Sequence, residues 1–243
     1  MLFRIYKCMK IIWYNTIEST NSAMENSRSN LRDREVWAAR FQSAGKGQKG
    51  NVWCSNPGDN LTFSVYLRHN GIAARDQFVI CQGVSLGVCD YLAAKGVAAS
   101  IKWPNDIYVG EKKICGILIS NTVGGEALID TVAGIGLNLN QREFPDWIPN
   151  PISLSQLTGN IYVIEDELPL LIKAILDVYD ADGGDTAGRY LSKLYLKDYP
   201  HRFTDTASGD CFEGIITGVK NDGRLEVKTA DGLRYFAFKE IAY

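Results

Sequence analysis

Histidine is scarce in this sequence. Of its 243 residues only His69 and His201 are of that type, far apart and each in a polar setting. That leaves no material for a zinc site or for histidine-based acid–base catalysis, and no metal ligands are assigned. The six cysteines (Cys8, Cys54, Cys81, Cys89, Cys115 and Cys211) include no C-x-x-C pair. A disulfide or metal framework is therefore not indicated, and Cys81, Cys89 and Cys115, set in apolar runs, read as small core residues. Excess charge of one sign is also missing. A formal net charge of −2 gives no bulk attraction to nucleic acid or to an anionic membrane, so any basic site must be local. Near the N-terminus Arg4, Lys7 and Lys10 interrupt the apolar residues, and the run Ile11 to Tyr14 is too short for a signal peptide or a spanning helix. The expected location is the cytoplasm, with no membrane partner.

What is present is an ordinary globular balance, 46% hydrophobic against 22% charged residues, enough for a sizeable core. Strands are read at Ile11 to Tyr14, Val36 to Phe41, Leu61 to Leu67, Ala98 to Val109, Lys113 to Ser120 and Ala127 to Asn140. Near-helical spacing of Phe78, Val79, Gln82, Leu86 and Leu92 predicts a long core helix over Asp76 to Lys95. Further helices are expected at Asp166 to Ala181 and Thr186 to Tyr199. After Pro200 the texture becomes short strands, Asp210 to Val219, Gly223 to Thr229 and Leu233 to Phe238, separated by Asn-Asp-Gly and Asp-Gly turns. The expected organisation is a mixed α/β domain over residues 1–199 and a small barrel-like β module over 200–243.

Two segments carry chemistry. The first, Gly45-Lys46-Gly47-Gln48-Lys49-Gly50, frees the backbone for close approach to an anion, and Lys46 and Lys49 add charge. Its spacing fits neither a Walker loop nor a Rossmann fingerprint. Asn51-Val52-Trp53 follows, with an aromatic that can stack on a base or close a pocket. The second, Lys102-Trp103-Pro104-Asn105-Asp106, sets an ammonium beside a proline inside strand-like sequence, where an anionic partner would explain it. An edge-strand lysine facing solvent is the plainer alternative. Ser19, Thr20 and Asn21 fit a helix cap as well as a ligand contact. Gln42, Asn138 and Asn140 are equally two-sided, and Gly134 and Gly136 imply close approach of a ligand or another backbone.

In order, Glu-Ser-Thr-Asn (18–21), the run from Gln42 to Trp53, Lys-Trp-Pro-Asn-Asp (102–106), Lys-Ile-Cys-Gly-Ile-Leu-Ile (113–119) and Gly-Ile-Gly-Leu-Asn-Leu-Asn (134–140) resemble biotin protein ligases over nearly the whole chain. The resemblance implies an α+β fold of the class II aminoacyl-tRNA synthetase-like kind, a mixed sheet packed with helices, plus a C-terminal SH3-like β-barrel. It implies ATP-dependent activation of biotin as biotinyl-5′-AMP, with Mg²⁺, and transfer to a lysine of a biotin carboxyl carrier protein or domain. Lys102 would be the catalytic cation. Ser19, Thr20, Asn21, Gln42, Gly45, Lys46, Lys102 and Gly116 would bind biotin. Lys46, Gln48, Lys49, Asn51, Trp53, Lys102 and Asn138 would bind ATP and the adenylate. Many relatives carry arginines where Lys46, Gln48 and Asn51 stand. Gln48 removes a charge that could clamp the adenylate, so weaker retention of that intermediate is expected. Strand-like sequence from Ile11 leaves no room for the helix-turn-helix module of repressing family members, so no DNA binding is expected, from a monomer or a homodimer. A lipoate or octanoate ligase and a non-catalytic biotin- or nucleotide-binding regulator are the alternatives.

Overall fold

The computed structural model describes residues 10–181 and 184–243. Residues 10–74 and 111–173 form one compact unit, and 75–110 with the described part of 174–243 form another. The strands are β1 (Ile11–Ile17), β2 (Val36–Gln42), β3 (Leu61–Arg68), β4 (Ser100–Lys102), β5 (Asp106–Val109), β6 (Lys112–Gly124) and β7 (Ala127–Leu137). Five more follow late in the chain: β8 (Pro200–Asp205), β9 (Cys211–Val219), β10 (Leu225–Thr229), β11 (Gly232–Phe236) and β12 (Ile241–Ala242). The helices are α1 (Thr20–Asn26), α2 (Phe78–Ala94), α3 (Leu154–Thr158), α4 (Ile164–Tyr179) and α5 (Thr186–Ser192). The class is α+β, and the late strands form the expected antiparallel β module.

In the first unit the strands lie in the order β1-β2-β3-β7-β6, parallel only between β1 and β2. Facing residues of an antiparallel pair point to the same side, so the register assigns the two faces. Thr62 opposite Gly136, Ser64 opposite Gly134 and Gly116 opposite Gly136 make a patch of small residues on one face. Further along that face Tyr66 and Val132 form a core with Met24 and Leu31 beneath α1, and Trp37 packs against it. The other face carries Leu61, Phe63, Val65, Leu67, Ala133, Ile135 and Leu137, all buried. All of β3 up to Leu67 is therefore buried on both faces, its small polar residues included.

In the second unit α2 is the core helix, with twelve buried residues. The stretch Ala74–Ala94 is long and apolar enough by composition to cross a bilayer, but 67% of its apolar window is buried inside the protein. Gly87 lets α4 approach backbone to backbone, since a Cβ there would lie 2.4 Å from Ile175 Cα. Residues expected as one strand, 98–109, instead fold back as the antiparallel hairpin β4–β5, with Lys102 opposite Asp106. The turn between them is Trp103-Pro104-Asn105, entered through a cis peptide bond. It is pinned because Trp103 Nε1 donates to the Gly223 carbonyl (2.9 Å) and the Tyr190 hydroxyl donates to the Pro104 carbonyl (2.7 Å). The helix expected to run to Tyr199 stops at Ser192. Residues 193–195 give their backbone groups to strand pairing: Ile101 N–H donates to Lys193 O (2.7 Å) and Tyr195 N–H to Ile101 O (2.9 Å). The late strands form an antiparallel sheet in the order β11-β10-β9-β8-β12 around Phe203, Ile216, Leu225, Val227 and Phe236. Of the five late strands, β9, β10 and β11 have counterparts in the sequence reading, whereas β8 and β12 do not.

Candidate active site

Construction of the site starts at the N-terminus of α1. Ser19 is its cap, accepting from Ser22 N–H at 3.4 Å, so the helix-cap reading of this trio holds for Ser19. Thr20 does something else. Its backbone N–H donates to Gln42 Oε1 (2.7 Å), and its hydroxyl donates to the same atom (3.1 Å). A hydroxyl has one proton, so the 2.9 Å contact with Ser64 requires the Ser64 hydroxyl to donate to Thr20 Oγ1. Gln42 at the end of β2 thus spends its carbonyl oxygen on Thr20. Its Nε2 lies 3.4 Å from the place a Cβ on Gly45 would take.

The glycine-rich segment is a miniature hairpin. Trp53 N–H donates to Gly45 O (2.9 Å), Gly47 N–H to Asn51 O (2.7 Å), and Lys46 bridges Val52. A 3₁₀ turn over Gln48–Gly50 closes it, and Gly50 takes φ +89°, which glycine adopts without penalty. Lys46 is exposed; the side chain of Lys49 lies outside what the structure describes. Trp53, at the hairpin's base, lays its indole on the small-residue face of the sheet. A Cβ on Gly136 would sit 2.3 Å from Trp53 Cε2, and one on Gly116 3.1 Å from Cζ3 and 3.4 Å from Lys113 Nζ. Asn21 fills the neighbouring notch, its Nδ2 3.0 Å from the Cβ position of Gly134. The glycines of β7 are the close-approach positions that the sequence implied, and what approaches is an indole and an amide.

Buried polar groups without a partner are rare in native proteins and call for a physical reason. Among the described residues six such side-chain atoms occur, and three belong to this constellation: Asn21 Nδ2, Gln48 Oε1 and Trp53 Nε1. Asn138 differs. It is buried, and its Nδ2 donates to Ile152 O (3.1 Å), tying the end of β7 to the segment that leads into α3. Asn140 is likewise committed, donating to Tyr162 O (2.7 Å) and accepting from Tyr162 N–H (3.0 Å).

The structure therefore brings Thr20, Asn21, Gln42, Gly45, Trp53 and Gly116 together in the first unit, on a support of Ser64, Gly134 and Gly136. Lys102 belongs to the second unit. Its Nζ donates to the main-chain oxygen of Tyr243 (2.5 Å) and lies 4.8 Å from the Tyr243 ring centroid and 5.4 Å from that of Tyr108. Burial, with Asp106 and Tyr195 nearby, pushes the Tyr108 phenol up to about 12, and burial pushes Tyr243 up as well. Sequence reasoning missed Ser64, Tyr108 and Tyr243; Lys113 entered it only as the first residue of the 113–119 motif. Among the described residues no three His, Cys, Asp or Glu side chains cluster as a metal cage. Five described cysteines are free thiols, and burial pushes Cys81 and Cys89 up to about 12, as inert core residues require; Cys8 lies outside the described residues.

The model of the biotin/lipoate A/B protein ligase family matches residues 13–138, more than half of the chain. The chain belongs to that family. Every constellation residue of the first unit, and Lys102, falls within the span matched to the biotin/lipoate A/B protein ligases. Among curated relatives, the biotin--[acetyl-CoA-carboxylase] ligase of Paracoccus denitrificans is 32% identical over 93% of this chain and 97% of its own length. The bifunctional ligase/repressor BirA of Bacillus spizizenii is 29% identical over 92% of this chain and 71% of its own. Among solved structures, the biotin protein ligase of Aquifex aeolicus in complex with biotin and ATP superposes with a TM-score of 0.77. It covers 96% of this chain and 97% of its own at 23% identity, a likeness of fold. The matches extend across the C-terminal β module as well as the family span.

Proposed function

We propose that this chain is an ATP-dependent biotin–protein ligase. In the first step a carboxylate oxygen of biotin attacks the α-phosphorus of ATP, and the bond to the bridging oxygen breaks to release pyrophosphate and leave biotinyl-5′-AMP. In the second step the neutral amine of a lysine on a biotin carboxyl carrier domain attacks the acyl carbon. The amide forms, AMP leaves, and the amine loses its proton. The observation that carries the reading is the set of buried polar atoms without partners, Asn21 Nδ2, Gln48 Oε1 and Trp53 Nε1, around a sheet face of glycines. Such groups are where a mostly apolar pocket meets the few polar atoms that orient a ligand.

Ser19, Thr20, Asn21 and Gln42, with Gly45, Lys46 and Gly116, are assigned to biotin. Gln48, Lys49, Asn51, Trp53 and Asn138 are assigned to the nucleotide, Lys46 serving both. Lys102 supplies fixed positive charge where the carboxylate meets the α-phosphate, a contribution of about 10²–10³ in rate for a single donor. Mg²⁺ would enter on the ATP phosphates as part of that substrate and neutralise their remaining charge. Hairpin closure over a water-labile anhydride would keep water out. The module over 200–243 is read as an SH3-like appendage to a catalytic domain over 1–199.

Lipoate or octanoate is the second substrate class, favoured by the breadth of the family itself. The biotin ligase relatives at up to 32% identity support biotin instead. ATP–pyrophosphate exchange run with biotin, with lipoate and with neither decides. Biotin-dependent exchange is the expected result; exchange with lipoate alone, or none, rejects the proposal.

A further inference from the structure

A lysine is a flexible four-carbon stem with a hydrated point charge at its tip, a poor electrostatic stabiliser unless something orients it. Lys102 ends β4 on the short hairpin that turns at Trp103-Pro104, so its backbone is fixed by β5. Its tip is then met from the far end of the chain. Residues 102 and 243 are 141 positions apart, yet the main-chain oxygen of Tyr243 accepts from Nζ at 2.5 Å and the Tyr243 ring lies 4.8 Å away. The Tyr108 ring, on β5, approaches the same ammonium at 5.4 Å. Tyr243 has its own supports: β12 pairs with β8, and its ring packs at 5.3 Å on Phe203 and 6.3 Å on His201.

We propose that Tyr243 is a positioning residue for Lys102 in the activation step, holding the ammonium in one direction by its ring face and main-chain oxygen. The inference rests on the reading of Lys102 as the cation of that step. Two rings attract an ammonium through their quadrupoles. Burial raises both phenols, so the two rings stay neutral at ordinary pH. A cation already oriented in the free enzyme loses little freedom when carboxylate and phosphate arrive, which lowers the activation barrier rather than the affinity. This gives the β8–β12 sheet a stake in the chemistry through one residue.

The test is biotin-dependent ATP–pyrophosphate exchange on wild type, Tyr243→Ala, Tyr243→Phe, Lys102→Ala and the double variant Lys102→Ala/Tyr243→Ala. Tyr243→Ala is expected to lower kcat about tenfold with the KM values for biotin and ATP within about twofold, and Tyr243→Phe to restore it. In the Lys102→Ala background the second substitution is expected to remove nothing further from the residual rate. An additive loss there marks a merely structural residue and overturns the proposal. Full activity of Tyr243→Ala beside a crippled Lys102→Ala overturns the clamp alone. A fully active Lys102→Ala overturns the assignment of Lys102 and the clamp with it. Should Tyr243→Ala fail to fold, Tyr108→Leu removes the other ring with Tyr243 in place. A several-fold loss confined to the Lys102 background is then expected, and no loss overturns the proposal.

Discussion

The backbone N–H and the hydroxyl of Thr20 converge on one atom, Oε1 of Gln42, at 2.7 and 3.1 Å. That convergence fixes the amide of Gln42 with its Nε2 toward Gly45, so one side chain both supports α1 and presents donors to the site.

Two substitutions separate those jobs. Gln42→Ala leaves the Thr20 N–H without its partner, a loss of about 1–3 kcal/mol in stability, and weakens biotin binding by about tenfold. Gln42→Glu still accepts from Thr20 but has no amide N–H to give. It is expected to keep most of the melting temperature and to bind biotin as poorly as the alanine variant. Calorimetric titration and thermal unfolding on the same samples check both halves.

Trp53 and Gly136 are in closer register than any side chain on Gly136 would permit. Gly136→Ala puts a methyl carbon 2.3 Å from Trp53 Cε2, inside any contact distance, so the indole must leave its slot. The expected result is a red-shifted tryptophan emission and a rise of about tenfold in the KM for ATP, a penalty in the range of an overpacked core of about 1–3 kcal/mol. Gly116→Ala, whose added carbon would be 3.1 Å from the ring, is expected to show the same changes at smaller amplitude. The reverse ranking would count against Trp53 as the element displaced.

Gln48 is a neutral residue with a buried, unpartnered Oε1 at the tip of the hairpin. Gln48→Arg replaces that acceptor with a fork of donors suited to a phosphate. Its expected effect is slower release of biotinyl-5′-AMP, by about tenfold for one added charge-assisted contact, read by trapping the released adenylate after a single turnover. An unchanged release rate would mean that the hairpin tip does not grip the intermediate.

His69 gives a stability test away from the site. Thr131 donates its hydroxyl proton to Asn121 Oδ1 (2.6 Å), so it must accept from His69 Nε2–H at 2.7 Å. Burial lowers the imidazole pKa, and Asp130 and Asp33 oppose that shift without cancelling it. The folded chain therefore binds its proton less readily than the unfolded one. Stability is complete above about 6.5, the ordinary histidine value, and falls as pH drops from there through the lowered folded value. Urea titrations of wild type and His69→Gln between pH 7.5 and 5 should show a steeper decline in the wild type. Equal slopes would rule out the linkage.

How legible all this was depends on sequence distance. α2 was readable because its apolar spacing is local and long, and β7 because a glycine inside a strand pattern gives up packing and so marks a place where something else comes close. The Lys102 segment stands out for the oddity of its composition, yet it reads as one strand kinked at Pro104 rather than as a hairpin, since nothing local announces that Trp103 will be held by Gly223 across the unit. α3 was overlooked although Ser153 and Gln156 form a capping box that could have been found. Ser64 and Tyr243 carried no mark at all. A buried serine and a tyrosine just past β12 become significant only through partners 44 and 141 residues away.

The slot over β7 is shaped by atoms that are missing. Truncating residues one at a time to alanine removes matter almost everywhere, and the losses are then read as contributions. At Gly116, Gly134 and Gly136 the same exchange adds matter, each new carbon falling within 3.1 Å of Trp53 or Asn21. A survey of that kind would report these three positions with inverted meaning, as sites intolerant of a gain, and their part in recognition would surface only if gain and loss were scored as separate experiments.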